Sequence, residues 1–386
     1  MSSSKKEVMV NNFKDVPIND PEIHNLRNDK NKLTFVLNNV DTSVANALRR
    51  VILSDIEIIV IISSPYEKNQ VTINKNTTRL NNEIIKQRLS SIPIHITDIK
   101  SFSINDYILE INSTNETNTT QYITSEHFNI RNIHNNSYLS KDEVNKIFPP
   151  NKLTNHYVDL VRLRPKVSEE IPGETLELTA KFSTGTAGLD GMFNVVSTCS
   201  YGFTPDEGKQ TEEWTKLEKT YKDDGLSSDD IELKKHNWKT LDSKKHYIPN
   251  SFNFIIESIG IFTNKSIFNK ACNIIIDKLN VIEDNIDKNS LIVNKSDTTM
   301  DNCYDIILEN EDYTIGYLIE YMFYTQFYNG NKNINFCGFK KLHPHDNFSI
   351  IRVSFKDDVE SSECNMILKH AIHKLKSLFT KIDKLI

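Results

Sequence analysis

Few side chains in this sequence are spaced for chemistry. His343-Pro344-His345 sets two imidazoles one residue apart, as half of a metal site would. No third ligand is near in sequence, and Pro344 favours a β-turn. Asp229-Asp230 has the composition of a carboxylate pair for acid–base work, but its charged surroundings read as a solvated face. Gly185-Thr186-Ala187-Gly188-Leu189-Asp190-Gly191 is as glycine-rich as a phosphate loop. No Gly-Lys-Ser/Thr follows, and its flanks read as two strands, which fits a tight crossing or a partner-contacting loop. Cys199, Cys272, Cys303, Cys337 and Cys364 form no C-x-x-C pair, so they read as reduced, buried thiols. No Ser/His/Asp or Cys/His arrangement stands out. Neither a catalytic constellation, a metal site nor a cofactor is expected.

What remains is a pattern that occurs twice. Asn39-Val40-Asp41 precedes one apolar helical stretch, and Asn310-Glu311-Asp312 precedes another. Asp41 and Asp312 supply side-chain oxygens that can cap the orphan N–H groups of a first turn. Each pattern follows a short apolar strand, Leu33 to Leu37 and Tyr304 to Leu308. Val44, Ala47, Leu48, Val51 and Ile52 form one helical stripe in the first copy. Ile315, Leu318, Ile319 and Met322 form the stripe of the second, in a helix expected from Ile315 to Tyr328. A longer amphipathic helix comes later in each half. The first is Ser266 to Ile282; the second runs from about Val359 to Leu385, with Leu368, Ile372, Leu375 and Phe379 at helical spacing. A terminal unit this small needs a hydrophobic partner for such a helix. These positions are dimerisation or core residues, and spacing alone does not separate the two.

The chain has 386 residues, enough for two or three domains. Residues 1–30 read as an extended arm. Residues 31–63 and 173–282 form a first, discontinuous unit, with 64–172 inserted in it as an α/β subdomain. A polar linker spans 283–302, and a second unit spans 303–386. Within these bounds strands are expected at 56–62, 174–182, 193–201, 251–259, 334–340 and 349–355. The expected class is α+β. The net charge of −6 and the lack of an extended basic tract argue against gripping nucleic acid, so contact with it would be peripheral at most. No apolar run approaches a bilayer's thickness, so no membrane role is expected. Without a signal peptide, the chain is expected to be soluble and intracellular.

The segment Asn39-Val40-Asp41-x-x-x-Ala45-Asn46-Ala47-Leu48-Arg49-Arg50-Val51 resembles the signature of the alpha-like subunits of cellular DNA-directed RNA polymerases. Asn76-Thr77-Thr78, Glu83, and Arg88-Leu89-x-x-Ile92-Pro93-Ile94 resemble the next block of the larger alpha-like subunit, and residues 252–260 resemble its last strand. Asn310-Glu311-Asp312-x-Thr314-x-Gly316-x-Leu318, Phe336-x-Gly338-Phe339 and His343-Pro344 resemble the smaller one. The whole resembles both subunits fused head to tail, as in large nucleocytoplasmic DNA viruses. The resemblance implies two dimerisation units paired within one chain and an assembly platform for transcription without catalysis of its own. Its implied partners are the second-largest and largest polymerase subunits and small zinc-binding adaptor subunits. It also implies that Arg49 and Arg50 face the second-largest subunit, although by themselves they read equally as solvated cations. A viral source would place the protein in host-cytoplasm factories and in the virion; a cellular source, in nucleus or cytoplasm. Many larger alpha-like subunits carry a cysteine-ligated zinc or iron–sulfur site in the inserted domain. Residues 64–172 contain no cysteine, so that site is not expected here. Two other readings stay open from the residues alone: a duplicated α+β enzyme with a cleft between its halves, or a freestanding nucleic-acid-binding protein.

Overall fold

The computed structural model describes residues 15–168, 170–297 and 300–386. The chain divides into two compact units. Of the described residues, one gathers those within 15–51, 198–257 and 268–386; the other gathers those within 52–197 and 258–267.

The first half opens with β1 (Glu22–Asp29), β2 (Lys32–Asn38) and α1 (Thr42–Ser54). The insert then carries β3 (Ile58–Val60), β4 (Val71–Asn76), α2 (Asn82–Ser90), β5 (Tyr107–Thr114), β6 (Gln121–Thr124), β7 (Asn129–Asn132), α3 (Lys141–Ile147), β8 (Asp159–Leu163), β9 (Thr175–Lys181) and β10 (Ser183–Gly185). The first half resumes with β11 (Val196–Pro205), α4 (Glu207–Asp223), α5 (Ser228–Thr240), β12 (Tyr247–Ser258) and α6 (Asn264–Asp287). The second half comprises β13 (Ile292–Lys295), β14 (Cys303–Glu309), α7 (Tyr313–Phe323), β15 (Ile334–Lys340), β16 (Phe348–Phe355) and α8 (Ser361–Asp383).

The two halves are built alike. One sheet has the order β1-β2-β12-β11 and the other β13-β14-β16-β15. In both, the strand entering the signature helix is central, and its inner partner is the strand entering the long helix. The pairs β1-β2, β2-β12, β13-β14, β14-β16 and β15-β16 are antiparallel, with Leu37 opposite Phe252 in one sheet and Leu308 opposite Ser349 in the other. Leu33, Phe35 and Leu37 point inward from β2, and Phe35 stacks on Phe254 at 5.1 Å and meets the edge of Phe268 at 5.5 Å.

This topology revises the expected arm and linker. Residues 1–30, expected as an arm, contain β1, the edge strand of the first sheet; residues 1–14 lie outside the described residues. The expected linker at 283–302 is largely structured. Helix α6 continues to Asp287 and β13 pairs with β14, while residues 298 and 299 lie outside the described set. Strand β1 is largely exposed and β13 is only four residues long, so neither shows hydrophobic alternation.

The inserted unit centres on the sheet β4-β9-β5-β7, with β6-β8 and β10-β3 as separate pairs, all antiparallel. Strand β9 was expected in the dimerisation domain from 173 onward. It instead pairs with β4 and β5, and the compact insert extends to residue 197. Its inward residues Leu176, Leu178 and Ala180 join a core with Ile85, Leu109, Phe128 and Leu160. Amphipathic alternation makes a strand but does not name its partner, so the boundary was not legible locally.

Candidate functional site: the paired signature helices

Each copy of the repeated pattern executes the same turn. Asn39 and Asn310 both adopt left-handed backbone conformations, with φ of 63° and 58°. Asparagine tolerates that region better than most residues. The chain then reverses into an aspartate cap. The Asp41 carboxylate accepts the Ser43 N–H at 2.7 Å, and its carbonyl accepts from Val44 and Ala45. Asp312 accepts the Thr314 N–H at 2.9 Å, and its carbonyl accepts from Gly316.

The helix stripes are buried. Val44, Ala47, Leu48, Val51 and Ile52 are at most 1% exposed; Ile315, Leu318, Ile319 and Met322 are fully buried, as are Leu368, Ile372, Leu375 and Phe379. The long helices also meet through polar groups. Asn269 on α6 donates to the Asp383 side chain at 2.6 Å, and Lys369 pairs with Asp287 at 2.6 Å. Lys376 pairs with Glu283.

Arg50 joins the two signature helices directly. Its Nε donates to the Thr314 hydroxyl at 2.8 Å, and its Nη2 donates to the Asp312 carboxylate at 2.7 Å. One guanidinium thus holds the cap of the opposite half's helix. Burial pushes the Asp312 carboxyl up, but the Thr314 hydrogen bonds and the Arg50 charge outweigh this and hold it below the usual carboxylate value. The guanidinium is thus engaged within the chain, with its side chain 37% exposed. Arg49 is held locally: its Nε and Nη2 donate to the Asn46 side chain at 3.1 and 3.0 Å.

Beside this link lies a cleft of about 450 Å³. Asp41 and Asn46 line one wall; Tyr317, Glu320, Tyr321 and Tyr324 line the other. Tyr313, Tyr317, Tyr324 and Tyr328 are 40–48% exposed, and Tyr313 and Tyr317 both pack on Phe339. The period of the second stripe marked only the buried face of α7. The opposite aromatic face follows from the same residues, Tyr313-x-x-x-Tyr317, read one turn apart. Sequence reasoning also missed Gln326. It is fully buried in the π-helical turn 324–330 and exchanges two hydrogen bonds with the Val16 backbone at 3.2 and 2.9 Å.

The residues weighed for catalysis have structural roles. Asp229 and Asp230 lie in the first turn of α5, where the Ser227 hydroxyl accepts the Asp230 N–H. His343 Nδ1 accepts the His345 N–H at 3.2 Å inside a turn. In the glycine run, Gly185 pairs with Ile58 and the Gly188 N–H donates to the Ser54 carbonyl at 2.8 Å. Burial pushes the Cys199, Cys337 and Cys364 thiols up to about 12, and it raises Cys272 as well. Such thiols are poor nucleophiles at neutral pH. Among the described residues, no group of three or more His, Cys, Asp or Glu is placed to hold a metal ion. Residues 64–172 contain no cysteine, so they do not fit the cysteine-ligated site that the resemblance implies for many larger alpha-like subunits. Among the described residues, no helix is long and apolar enough to cross a membrane.

Comparison with known proteins agrees with this architecture. The RNA polymerase Rpb3/Rpb11 dimerisation domain matches residues 34–279, and a second domain model of the same description matches 303–384. DNA-directed RNA polymerase II subunit RPB3 of Schizosaccharomyces pombe is 39% identical over 82 residues, covering 21% of this chain and 25% of that protein. DNA-directed RNA polymerases I and III subunit RPAC1 of Saccharomyces cerevisiae is 23% identical over 289 residues, covering 65% of this chain and 83% of that protein. A conjugation stage-specific protein of Tetrahymena thermophila is 36% identical over 72 residues, 19% of this chain and 21% of that protein. The chain thus spans a quarter or less of two of these relatives and most of the third. With two alpha-like dimerisation domains in one polypeptide, this chain belongs to the RNA polymerase Rpb3/Rpb11 dimerisation-domain family.

Proposed function

We propose that the chain is a non-catalytic assembly-platform subunit of a multisubunit DNA-dependent RNA polymerase. Its two halves act as a pre-formed pair of alpha-like subunits. The pair docks the second-largest and largest subunits, and small zinc-binding adaptor subunits sit on it. The observation that carries this reading is the Arg50–Asp312–Thr314 link between two signature helices whose apolar stripes are buried. In this reading the stripe residues are the intramolecular dimer interface. Arg50 aligns that interface, and Arg49, with the Tyr313 and Tyr317 face, meets the large subunits. Aromatic and arginine side chains suit such contacts, because they bring large apolar area and fixed donor geometry.

The fusion architecture and the Asn-, Lys- and Ile-rich composition support a large nucleocytoplasmic DNA virus as the source. That origin places transcription in host-cytoplasm factories and the polymerase in the virion. Affinity purification from the native source, followed by mass spectrometry, tests the proposal. Both large polymerase subunits should come down in equal amounts with the chain. Purification without them would refute the platform role.

A further inference from the structure

The inserted unit carries a concave basic site that the dimerisation architecture does not use. Arg79, Arg88, Arg162 and Arg164 line a cavity of about 500 Å³, together with Tyr122 and Val161. Three local features bring them there. Arg79 lies between β4 and α2, Arg88 in the last turn of α2, and Arg162 on β8. Arg162 is exposed between the buried Val161 and Leu163, and its register partner across the strand pair is Tyr122. Tyr122 is itself 54% exposed.

The four cations are not equivalent. Arg164 is neutralised by Glu174, which accepts from its Nε at 2.5 Å and from its backbone N–H at 2.7 Å. Arg88 donates to the Asp159 carbonyl at 3.2 Å, which fixes its head at the rim. Arg79 and Arg162 make no side-chain hydrogen bond or ion pair with the described residues. Two guanidinium forks therefore face a cavity beside a flat aromatic ring, next to two arginines already held in place.

We propose that this cavity receives an acidic segment of another polypeptide, with Arg79 and Arg162 taking its carboxylates and Tyr122 packing against the backbone or an apolar side chain beside them. A planar guanidinium fork matches a carboxylate in two parallel hydrogen bonds. Charge complementarity favours an acidic ligand. The form of the site favours protein over nucleic acid. A phosphate-tracking surface is an extended basic stripe. Here four arginines line one cavity whose wall also holds Asp159 and Glu174, and the chain as a whole carries −6. Two guanidinium forks in one cavity offer places for separate side-chain carboxylates rather than a track for a continuous phosphate backbone.

The identity of such a partner as a polymerase component rests on the platform reading; the binding chemistry does not. The test uses the full chain and a fluorescein-labelled short peptide rich in Asp and Glu, titrated by anisotropy at about 0.15 M salt so that exposed long-range attraction is screened. Arg79→Gln and Arg162→Gln together should weaken binding by about tenfold or more, with an unchanged circular dichroism spectrum. Arg27→Gln, an exposed change in the other unit, should leave it unaltered. Equal affinity for the doubly substituted and unsubstituted chains would overturn the proposal, as would absence of peptide binding. Single-stranded DNA of matched charge displacing the peptide at lower concentration than unlabelled peptide would overturn it in favour of nucleic acid. Co-purification of the unsubstituted chain with the large subunits reads the platform proposal separately.

Discussion

Asp312 does two jobs with one carboxylate: it caps α7 and receives Arg50. The pair is partly exposed, at 37% and 39% of the two side chains, so solvent screening keeps its net worth to no more than about 1 kcal/mol. Its pH dependence has a definite sign. The folded-state carboxyl lies below its ordinary value of 3.8, so its stabilisation is complete above that value and is lost as pH falls through the lower, folded value. Asp312→Asn keeps a capping oxygen but removes the charge. The substituted chain should therefore melt lower than the unsubstituted chain at neutral pH, and the two should converge in acid. Melting temperatures measured across the acid range check this; a constant gap would show that Arg50 does not stabilise the ionised form. At this scale the sequence announced the caps, because Asp after Asn at a strand end has a local meaning. It did not announce that Arg50, separated from Asp312 by most of the chain, would find that same cap.

Among the elements, α7 shows how one helix serves two faces. Its buried stripe was legible from apolar spacing, and its aromatic face depends on a small residue between. A Cβ on Gly316 would lie 2.0 Å from the Phe339 ring. That ring packs against Tyr313 at 5.3 Å and Tyr317 at 5.2 Å. Gly316→Ala must displace Phe339 and disperse the cluster, at a cost of about 1–3 kcal/mol from overpacking. Denaturant unfolding should register the loss, and partner binding should weaken with it if the aromatic face is a docking surface. A substitution without effect on stability would mean that Phe339 moves freely. Helix extents were read less well than helix identity. The second signature helix ends as an α-helix at Phe323 and continues as a π-helical turn, where Gln326 bonds the Val16 backbone. Apolar periodicity does not report such a change in hydrogen bonding.

The two halves of the molecule repeat one topology, strand for strand, and each supplies a strand to the sheet that its long helix follows. The edge strands β1 and β13 were hidden inside what composition marks as an arm and a linker. Only a short turn, residues 288–291, separates α6 from β13. In the proposed reading, fusion acts by holding the halves at high effective concentration rather than by creating the interface. A protease site introduced in that turn tests this. After cleavage the two fragments should still elute together in size-exclusion chromatography at micromolar concentration; separation would show that the covalent link, not the buried stripes, maintains the pair.

The sequence by itself determined the local grammar. Asn in a left-handed turn, Asp at the cap and apolar residues at helical spacing specify two strand–turn–helix units through interactions within a few residues. Their order also carried the family resemblance, which the matches at 34–279 and 303–384 bear out. The tertiary structure alone decided the non-local pairings. It assigned β9 to the insert's sheet, turned polar edge segments into strands, and gave Arg50 its partner in the other half. It also gathered Arg79, Arg88, Arg162 and Arg164 around one cavity. The reason is physical. Caps and helix stripes are satisfied by neighbours along the chain, whereas strand partners and inter-half ion pairs are chosen only when distant segments compete for the same hydrogen-bonding edge or charge.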